Sequence, residues 1–336
     1  MRVVITGGGG FLGSLLCNAL IQRGTLTGPS GQLEPIDRIL LVDRHFREPA
    51  TGQSTPKIVT QKACDISDRD AVFDAIESSN EVSIFHLASM VSGECEERFD
   101  DAIRINLLGG LNIFEAARSV AKKSSSPRRP RVVCASSIAG FGGDTIPDHV
   151  SDDSKLLPGT TYGMTKAVCE LLINDCSRKR FFDGRSARLP TVIIRPGKPN
   201  AAASSWASGM FREPLNGEDC LLPVHREQRH PMTGYKTVID SLIFIHEIPE
   251  EQLGRDRGIG LPAHQVTPNM AEQVLREIAQ SHGRRIGEFT DAFDSRIQGI
   301  VNGWPTAIHS RRAEKLGLPM PPPLKTIVEQ YIQDFL

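Results

Sequence analysis

Residues 1–13 read MRVVITGGGGFLG, an apolar run that passes directly into four glycines. Residues 3–6 predict a short buried strand, and the apolar spacing after the glycines predicts a helix. In such a strand–turn–helix unit, Gly7 permits the tight turn, Gly10 lets the backbone approach a ligand, and Gly13 lets helix and strand pack closely. The N–H groups at the start of the helix favour a phosphate group. The stretch therefore predicts a dinucleotide-binding turn.

Strands and helices alternate over the first 200 residues. Buried strands are predicted at 38–43, 57–61, 82–88, 131–137 and 190–197, and helices at 11–23, 68–78, 99–120 and 160–181. This order predicts an α/β fold with a Rossmann-type, doubly wound parallel sheet. We expect a nucleotide-binding domain of residues 1–197, plus roughly 235–262. A smaller mixed substrate-binding cap, residues 198–234 and 263–336, is expected at the C-terminal side of the sheet.

The composition excludes several classes of function. The 336 residues are 39% hydrophobic and 24% charged, and the formal net charge is −1. This balance offers no attraction for nucleic acid or an anionic membrane surface, and no apolar run approaches the roughly 20 residues of a membrane span. The N-terminus leaves no room for a signal peptide. Seven dispersed cysteines without a C-x-x-C indicate a reducing compartment, so a cytoplasmic protein is expected. The scattered histidines predict no metal site.

Asp43 ends the strand predicted at 38–43. A carboxylate in that place accepts hydrogen bonds from the adenosine ribose hydroxyls and repels a 2′-phosphate. The spacing from the glycine turn is longer than usual because residues 24–37 look like an inserted loop. Asp43 therefore predicts NAD, rather than NADP, as the cofactor.

Tyr162 and Lys166 stand four residues apart in TYGMTK, which places them on one face of a predicted helix. A free tyrosine titrates near pH 10, but a lysine ammonium one turn away favours the phenolate. Such a tyrosine can take the proton of a substrate hydroxyl while hydride leaves the same carbon. A Y-x-x-x-K pair alone is common, so its interpretation depends on the surrounding motifs.

Those motifs occur in one order over residues 1–200: TGxxGxxG, a strand-ending Asp, CDI, HLA, N-x-x-G, SS, Y-x-x-x-K and RPG. The order resembles the extended short-chain dehydrogenases/reductases. The resemblance implies that Ser137 holds the reacting oxygen, that Tyr162 is the acid–base, and that Lys166 assists Tyr162 and binds the nicotinamide ribose. It also implies that Asn106 steadies the site's backbone and a water.

The same resemblance implies a set of cofactor contacts from the glycine turn, the strand ends and the catalytic helix. They are Gly7, Gly10, Phe11, Leu12, Gly13, Asp43, Asp65, Ile66, Leu87, Ala88, Tyr162, Lys166 and Pro196, with His86 also expected beside the cleft. A homodimer is implied as well, through helices in the regions 99–120 and 160–181.

A closer resemblance covers almost the entire chain. VSGE, SSIAGFGG, RLPTVIIRPGKPNAAASSWASGMFREPLNGE and VNGWP are similar to segments of the D-erythronate dehydrogenases, which oxidise a four-carbon sugar acid at carbon 2 with NAD⁺. Polar groups suited to such a small anion are Ser92, Ser137, Tyr162, Thr191, Lys198, Asn200, Ser205, Ser208 and Arg212. Lys198 and Arg212 are the candidate carboxylate partners, and Arg212 is favoured because a guanidinium can form a two-pronged pair.

Two other functions stay open, a nucleotide-sugar epimerase and an NAD-sensing protein without turnover. Ile138 and Ala139 stand where dehydratases carry an acid, which argues against elimination chemistry. Residues 226–242 depart from the basic nucleotide clamp of the epimerases, and the complete Ser–Tyr–Lys set argues against a pure sensor.

Overall fold

A computed structural model describes residues 1–28, 30–46, 56–77, 82–123, 129–143, 146–199 and 201–336. The strands within these ranges are β1 (Arg2–Thr6), β2 (Thr25–Thr27), β3 (Leu33–Pro35), β4 (Arg38–Asp43), β5 (Val59–Ala63), β6 (Val82–His86), β7 (Arg131–Ser137), β8 (His149–Val150), β9 (Asp183–Leu189), β10 (Thr191–Ile193), β11 (Cys220–Leu222), β12 (His230–Gly234), β13 (Gly258–Gly260), β14 (His264–Val266), β15 (Phe289–Asp291) and β16 (Ala307–Ile308).

The helices are α1 (Phe11–Arg23), α2 (Arg69–Ile76), α3 (Ser92–Glu97), α4 (Phe99–Ala102), α5 (Gly109–Lys123), α6 (Thr161–Arg178), α7 (Ser205–Leu215), α8 (Tyr235–Glu247), α9 (Glu250–Leu253), α10 (Pro268–His282), α11 (Ser295–Asn302), α12 (Arg311–Leu316) and α13 (Leu324–Phe335). A π-helical turn (Ile103–Leu108) joins α4 to α5, and a 3₁₀ turn (Ile138–Gly140) follows β7. In the described part of the chain, no helix has the length and apolar character needed to cross a membrane.

Seven strands form one sheet in the order β13–β9–β7–β6–β1–β4–β5, with all neighbours parallel. The chain winds outward from β1 in both directions, so β4 and β6 flank it. The carboxyl ends of these three strands meet where the order reverses, which is where such sheets bind ligands. The predicted doubly wound parallel sheet is confirmed.

Helices cover both faces of this sheet, because alternate residues of each strand point to opposite sides. Val3 and Ile5 of β1 share one apolar cluster with Leu16 of α1 and Leu242 of α8. Val4 belongs to the other cluster, which holds residues of α2, α5 and α6. Burial on both faces explains why the strands read as continuous apolar runs in the sequence.

The strand beside β7 is β9, whereas the sequence predicted a strand at 190–197. The β9 sequence, DGRSARL, is polar, but all seven of its residues are buried. Arg188 pairs with Glu170 of α6 at 2.8 Å and with Asp152 at 2.9 Å, and such pairing is what allows charges inside a core. The strand predicted at 190–197 is observed only in part. Only Thr191–Ile193 is extended, and it belongs to the separate sheet β10–β12–β14.

The segment after β10 builds a third apolar cluster with residues of α7, α10 and α13. Two small sheets, β10–β12–β14 and β11–β15, accompany it. In contrast, α8 packs on the central sheet and β13 extends that sheet's edge. The division into two domains, with 235–262 grouped with the first, stays a prediction. The insertion at 24–37 contains the antiparallel pair β2–β3.

Candidate active site

The glycine turn lies between the end of β1 and the start of α1. Gly7 has a φ of +74°, and a Cβ on it would lie 2.8 Å from the Ala88 nitrogen. A Cβ on Gly13 would lie 2.2 Å from the Gly7 carbonyl oxygen, so only glycine allows this packing. Gly10 precedes the first residue of α1 and has no side chain to cap the helix, so the first N–H groups of α1 are available to a ligand. The turn therefore fits the pyrophosphate of a dinucleotide.

A cavity of about 230 Å³ extends from this turn toward the ends of β4 and β5. Asp43, Asp65 and Ile66 line it. The Asp43 carboxylate accepts hydrogen bonds from the backbone N–H of Gly9 at 3.0 Å and of Arg44 at 2.7 Å, which fix its orientation. These residues fit the adenosine half of the cofactor.

Asp65 stays ionised in this cavity. Burial on its own would raise the pKa of Asp65, but hydrogen bonds from Ser67 and the positive charge of Arg104 hold that pKa below its ordinary value. Ser67 donates to Asp65 Oδ1 through both its backbone nitrogen (2.9 Å) and its hydroxyl (2.8 Å). The loop after β5 is therefore held in one conformation beside Ile66.

Asp43→Ala should narrow the preference for NAD⁺ over NADP⁺. The change removes both the ribose hydrogen-bond acceptor and the charge that repels a 2′-phosphate. We expect kcat/KM for NAD⁺ to fall by about tenfold, the usual loss for one charged hydrogen bond, while the value for NADP⁺ falls less or rises. Steady-state kinetics with both coenzymes measures this, and equal use of the two by the unmutated protein would refute the assignment.

A second cavity of about 370 Å³ begins at the same glycine turn. Ser137, Tyr162 and Lys166 all line it, although they come from two elements. The two cavities share the lining residues Gly7, Gly10, Leu87, Ser89 and Met90. The cleft therefore runs from Asp43 past the glycine turn to the predicted catalytic set.

Two local features bring α6 against the end of β7. The Thr160 hydroxyl caps the helix by accepting from the Gly163 N–H at 3.1 Å. A Cβ on Gly163 would lie 1.9 Å from the Ala139 carbonyl oxygen, so the first turn of α6 touches the 3₁₀ turn directly. This contact brings Tyr162 to the same cavity as Ser137.

Lys166 is buried beneath Tyr162. Its Nζ donates to the Ala135 carbonyl at 2.8 Å and lies 5.4 Å from the Tyr162 ring centroid. Burial on its own would lower the pKa of the Lys166 ammonium, but the adjacent Tyr162 oxygen, which is negative when ionised, holds that pKa above its ordinary value. Lys166 therefore keeps a positive charge beside the tyrosine.

Ser137 and Asn106 are held by the backbone around them. Ser137 Oγ accepts from the Ala139 N–H at 3.1 Å, which leaves its hydroxyl proton to donate elsewhere. Asn106 lies in the π-helical turn, a type of irregularity that often marks functional sites. Its side chain accepts from the Met90 N–H at 2.7 Å and approaches Thr165 Oγ1 at 3.5 Å. Asn106 lines neither cavity, whereas Met90, whose backbone it binds, lines both, and its predicted role in steadying the site's backbone stays a prediction.

The remaining predicted cofactor contacts divide clearly. Phe11, Leu12 and Leu87 line the larger cavity, and Ala88 lines the smaller one. Pro196 lines neither. His86, which was expected beside the cleft, is instead buried below it with Nδ1 at 2.7 Å from Thr6 Oγ1.

The predicted carboxylate partners do not reach the cavity. The Arg212 guanidinium is buried, pairs with Glu213 at 2.5 Å and donates to the Arg195 carbonyl at 3.0 Å. Lys198 is exposed, and neither residue lines the cavity. Arg212 lies in α7 and Lys198 follows β10, and the cavity lining includes neither residue, so it does not support their predicted contact with the carboxylate. Asn200 lies outside the described residues.

The other predicted substrate contacts do line the cavity, namely Ser92, Thr191, Ser205 and Ser208. Arg195 and Trp304 line it too, and sequence reasoning missed them. Both were visible in the quoted motifs, Arg195 as the first letter of RPG and Trp304 within VNGWP. Arg195 and Lys166 are the two cationic side chains among the described lining residues.

Acid should destabilise the fold because buried histidines are held neutral. Burial and the charge of Lys166 lower the pKa of His86 to about 3, and burial lowers that of His230 to about 4, from an ordinary 6.5. Between the ordinary pKa of 6.5 and the lowered pKa values of the folded protein, the unfolded chain binds more protons than the folded one. The free energy of unfolding therefore falls as the pH drops from about 7 to 5. Thermal unfolding should show a lower Tm at pH 5. His86→Asn should lose less stability over this range, and an equal loss would contradict the account.

Three comparisons relate this chain to known proteins. The sequence model of the NAD dependent epimerase/dehydratase family matches residues 3–259. The chain is similar to the D-erythronate dehydrogenase of Cupriavidus necator, with 38% identity over 99% of this chain and 98% of that protein. It is similar to the D-erythronate dehydrogenase of Haemophilus influenzae, with 36% identity over 99% of each chain. Its structure resembles that of a nucleoside-diphosphate-sugar epimerase from Agrobacterium tumefaciens, with a TM-score of 0.87 and 35% identity over 100% of this chain and 94% of that one.

Proposed function

The chain belongs to the NAD dependent epimerase/dehydratase family, and from that premise we propose that it oxidises D-erythronate, or a near relative, to the 2-oxo acid. It is an NAD-dependent oxidoreductase that acts on a CH–OH group. The observation that carries the proposal is the cavity where Ser137, Tyr162 and Lys166 adjoin the glycine turn. The name of the two curated relatives supplies the substrate.

The reaction divides among three side chains. When bound, NAD⁺ supplies the hydride acceptor. Tyr162 takes the proton of the substrate hydroxyl, and Lys166 places a positive charge 5.4 Å from the centre of its ring. Ser137 donates to the reacting oxygen, because its Oγ already accepts from Ala139 and its own proton remains for the substrate.

Arg195 is the side chain that we assign to the substrate carboxylate, in place of Arg212 and Lys198. Arg195 lines the cavity, and its Nη2 donates to the Lys198 carbonyl at 2.6 Å, which restrains its side chain. Lys166, the other cation, donates to the Ala135 carbonyl beneath Tyr162. A guanidinium is suited to a carboxylate because its donors lie in one plane.

Arg195→Met should raise KM for the acid by about tenfold, the scale of a lost charged hydrogen bond, and leave KM for NAD⁺ nearly unchanged. Lys198→Met is the matched control, because Lys198 is exposed and outside the cavity. Steady-state kinetics with the acid varied at saturating NAD⁺ measures both values. A larger effect at Lys198 than at Arg195 would refute the assignment.

The charge of the substrate provides a direct test of the proposed class. The acid should be turned over with a kcat/KM at least about tenfold above that of its neutral polyol, erythritol, because only the acid can pair with Arg195. NADH formation from both compounds measures the ratio. Equal values would overturn the sugar-acid proposal.

A nucleotide-sugar epimerase is the second candidate, because the Agrobacterium tumefaciens protein, which is 35% identical to this chain, is a nucleoside-diphosphate-sugar epimerase. Against it, Arg226 and Lys236 of residues 226–242 pair with Glu272 and Asp334 and line neither cavity, so they do not form a basic clamp there. Thermal stabilisation by UDP- or GDP-sugars in the presence of NAD⁺ would favour the epimerase. Steady NADH formation would exclude a non-catalytic NAD sensor.

We also propose a cytoplasmic homodimer. All seven cysteines are unpaired, which agrees with a reducing compartment. Large apolar side chains are exposed on the helices expected to pair, Leu108 before α5 and Leu171 on α6. Light scattering during size-exclusion chromatography should give twice the monomer mass, and Leu171→Asp should reduce it.

A further inference from the structure

Thr191 and His230 form a hydrogen-bonded pair on the cap side of the substrate cavity. Thr191 Oγ1 lies 2.6 Å from His230 Nε2. Thr191 lines the cavity, whereas His230 is only 1% exposed. The His230 ring is flanked by Trp206 and Trp304, with ring centroids 5.7 Å away in each case. The parallel pairing of β10 with β12 brings the two residues together.

The second ring nitrogen of His230 determines which atom of the pair donates. His230 Nδ1 is buried, and within the described ranges it has no hydrogen-bond partner. A neutral imidazole carries one N–H and one lone-pair nitrogen. If the proton were on Nδ1, a buried donor would be left unpaired, which is rarer in proteins than an unpaired acceptor. The proton therefore belongs on Nε2, which donates to Thr191 Oγ1.

This tautomer controls what Thr191 offers to a ligand. A hydroxyl that accepts from His230 keeps its own proton, and that proton must point away from the imidazole. Thr191 lines the cavity, and among the described residues its hydroxyl has no hydrogen-bond partner besides His230, so its proton is left for a group in the cavity. With the opposite tautomer the hydroxyl proton would be used by His230, and Thr191 would present only lone pairs.

We propose that His230 is a positioning residue that makes Thr191 a hydrogen-bond donor toward the substrate. A donor at this place favours an oxygen that can only accept, such as a carboxylate oxygen, and the opposite tautomer would repel it. Arg195 lies two residues beyond β10 and lines the same cavity, so the β10 segment provides both a cation and a neutral donor. The identity of the acceptor rests on the proposed function, whereas the tautomer does not.

The tautomer can be observed without any substrate. In the full-length protein labelled with ¹⁵N-histidine, the signals of His230 are the ones that disappear in His230→Gln. We expect a protonated Nε2 and an unprotonated Nδ1 at neutral pH. A protonated Nδ1 would overturn the proposal, and this outcome is independent of whether D-erythronate is a substrate.

Kinetics of three variants then test the coupling between the two residues. Thr191→Val and His230→Phe should each raise KM for the acid by about fivefold, the scale of one neutral hydrogen bond, with little change in kcat or in KM for NAD⁺. The double variant should be no worse than either single one, because both remove the same donor. His230→Gln can donate from its amide and should retain a near-normal KM. If the two substitutions raised KM for the acid additively, or if they also lowered kcat and raised KM for NAD⁺ to the same extent, His230 would have only a structural role.

Discussion

Tyr162→Phe should leave NAD binding nearly intact and lower turnover by at least about a hundredfold, the usual scale of a lost general acid–base. The ring would remain packed on α6, so the cavity should keep its shape. What disappears is the hydroxyl that takes the substrate proton beside Lys166, whose Nζ lies 5.4 Å from the ring centroid. Steady-state turnover and NAD⁺ titration of the folded variant measure the two effects separately.

Tyr331→Phe is the matched control for this substitution. Tyr331 is buried in the third apolar cluster, the one formed with residues of α7, α10 and α13, and it lies outside both cavities. Because it is away from the reacting atoms, the loss of its hydroxyl should leave kcat within about twofold. A folded Tyr162→Phe protein with near-normal turnover would show that Tyr162 is not the base. An equal loss in both variants would indicate a general packing effect.

Gly13→Ala should weaken NAD⁺ binding by about thirtyfold. A Cβ at Gly13 would lie 2.2 Å from the Gly7 carbonyl oxygen, a distance that real atoms do not adopt, so the turn and α1 must separate. The separation displaces N–H groups that would hold the pyrophosphate, and the loss of such charged hydrogen bonds costs about 2 kcal/mol of binding free energy, which corresponds to that factor in Kd. Isothermal titration calorimetry with NAD⁺ gives the value directly.

Gly299→Ala provides the comparison, because Gly299 is also a helical glycine but has open space around its Cα. Alanine there should leave NAD⁺ affinity unchanged and raise Tm slightly, since alanine favours helix by about 1 kcal/mol over glycine. If Gly13→Ala bound NAD⁺ as well as Gly299→Ala did, close packing at the turn would not be what shapes the cofactor site.

The parts of the fold that could be predicted from the sequence are those in which residue type and position depend on local geometry. The glycine turn is one, because Gly7 and Gly13 occupy positions where no other residue fits. The apolar strands of the sheet are another, because burial on both faces demands continuous apolar runs. The predicted strand at 57–61 is observed as β5, shifted by two residues.

Strand β9 shows where this reasoning fails. Its charges are satisfied by partners that are distant in the sequence, as Arg188 is by Asp152 and Glu170. Arg185 is fully buried and donates to the Ile245 carbonyl at the end of α8. A polar strand with such partners cannot be distinguished from a surface segment until the tertiary structure is known.

The candidate site divides in the same way. The Tyr162–Lys166 pair could be singled out because acid–base chemistry restricts residue type and spacing, and Ser137 followed from the resemblance of its motifs to the short-chain dehydrogenases/reductases; the structure places all three at one cavity. The direction of a side chain in an irregular segment is not encoded locally. Arg212 was therefore favoured for its chemistry, whereas its guanidinium is paired with Glu213 and Arg195 is the arginine that lines the cavity.

Product analysis of the reaction with D-erythronate tests the central claim most directly. The purified protein is incubated with NAD⁺ and D-erythronate, NADH formation is followed, and the product is identified by NMR. We expect steady NADH formation and a 2-oxo acid, because Arg195 holds the carboxylate and Tyr162 takes the proton of the neighbouring hydroxyl. A 3-oxo acid, or no NADH formation from D-erythronate and related four-carbon acids, would contradict the proposed function.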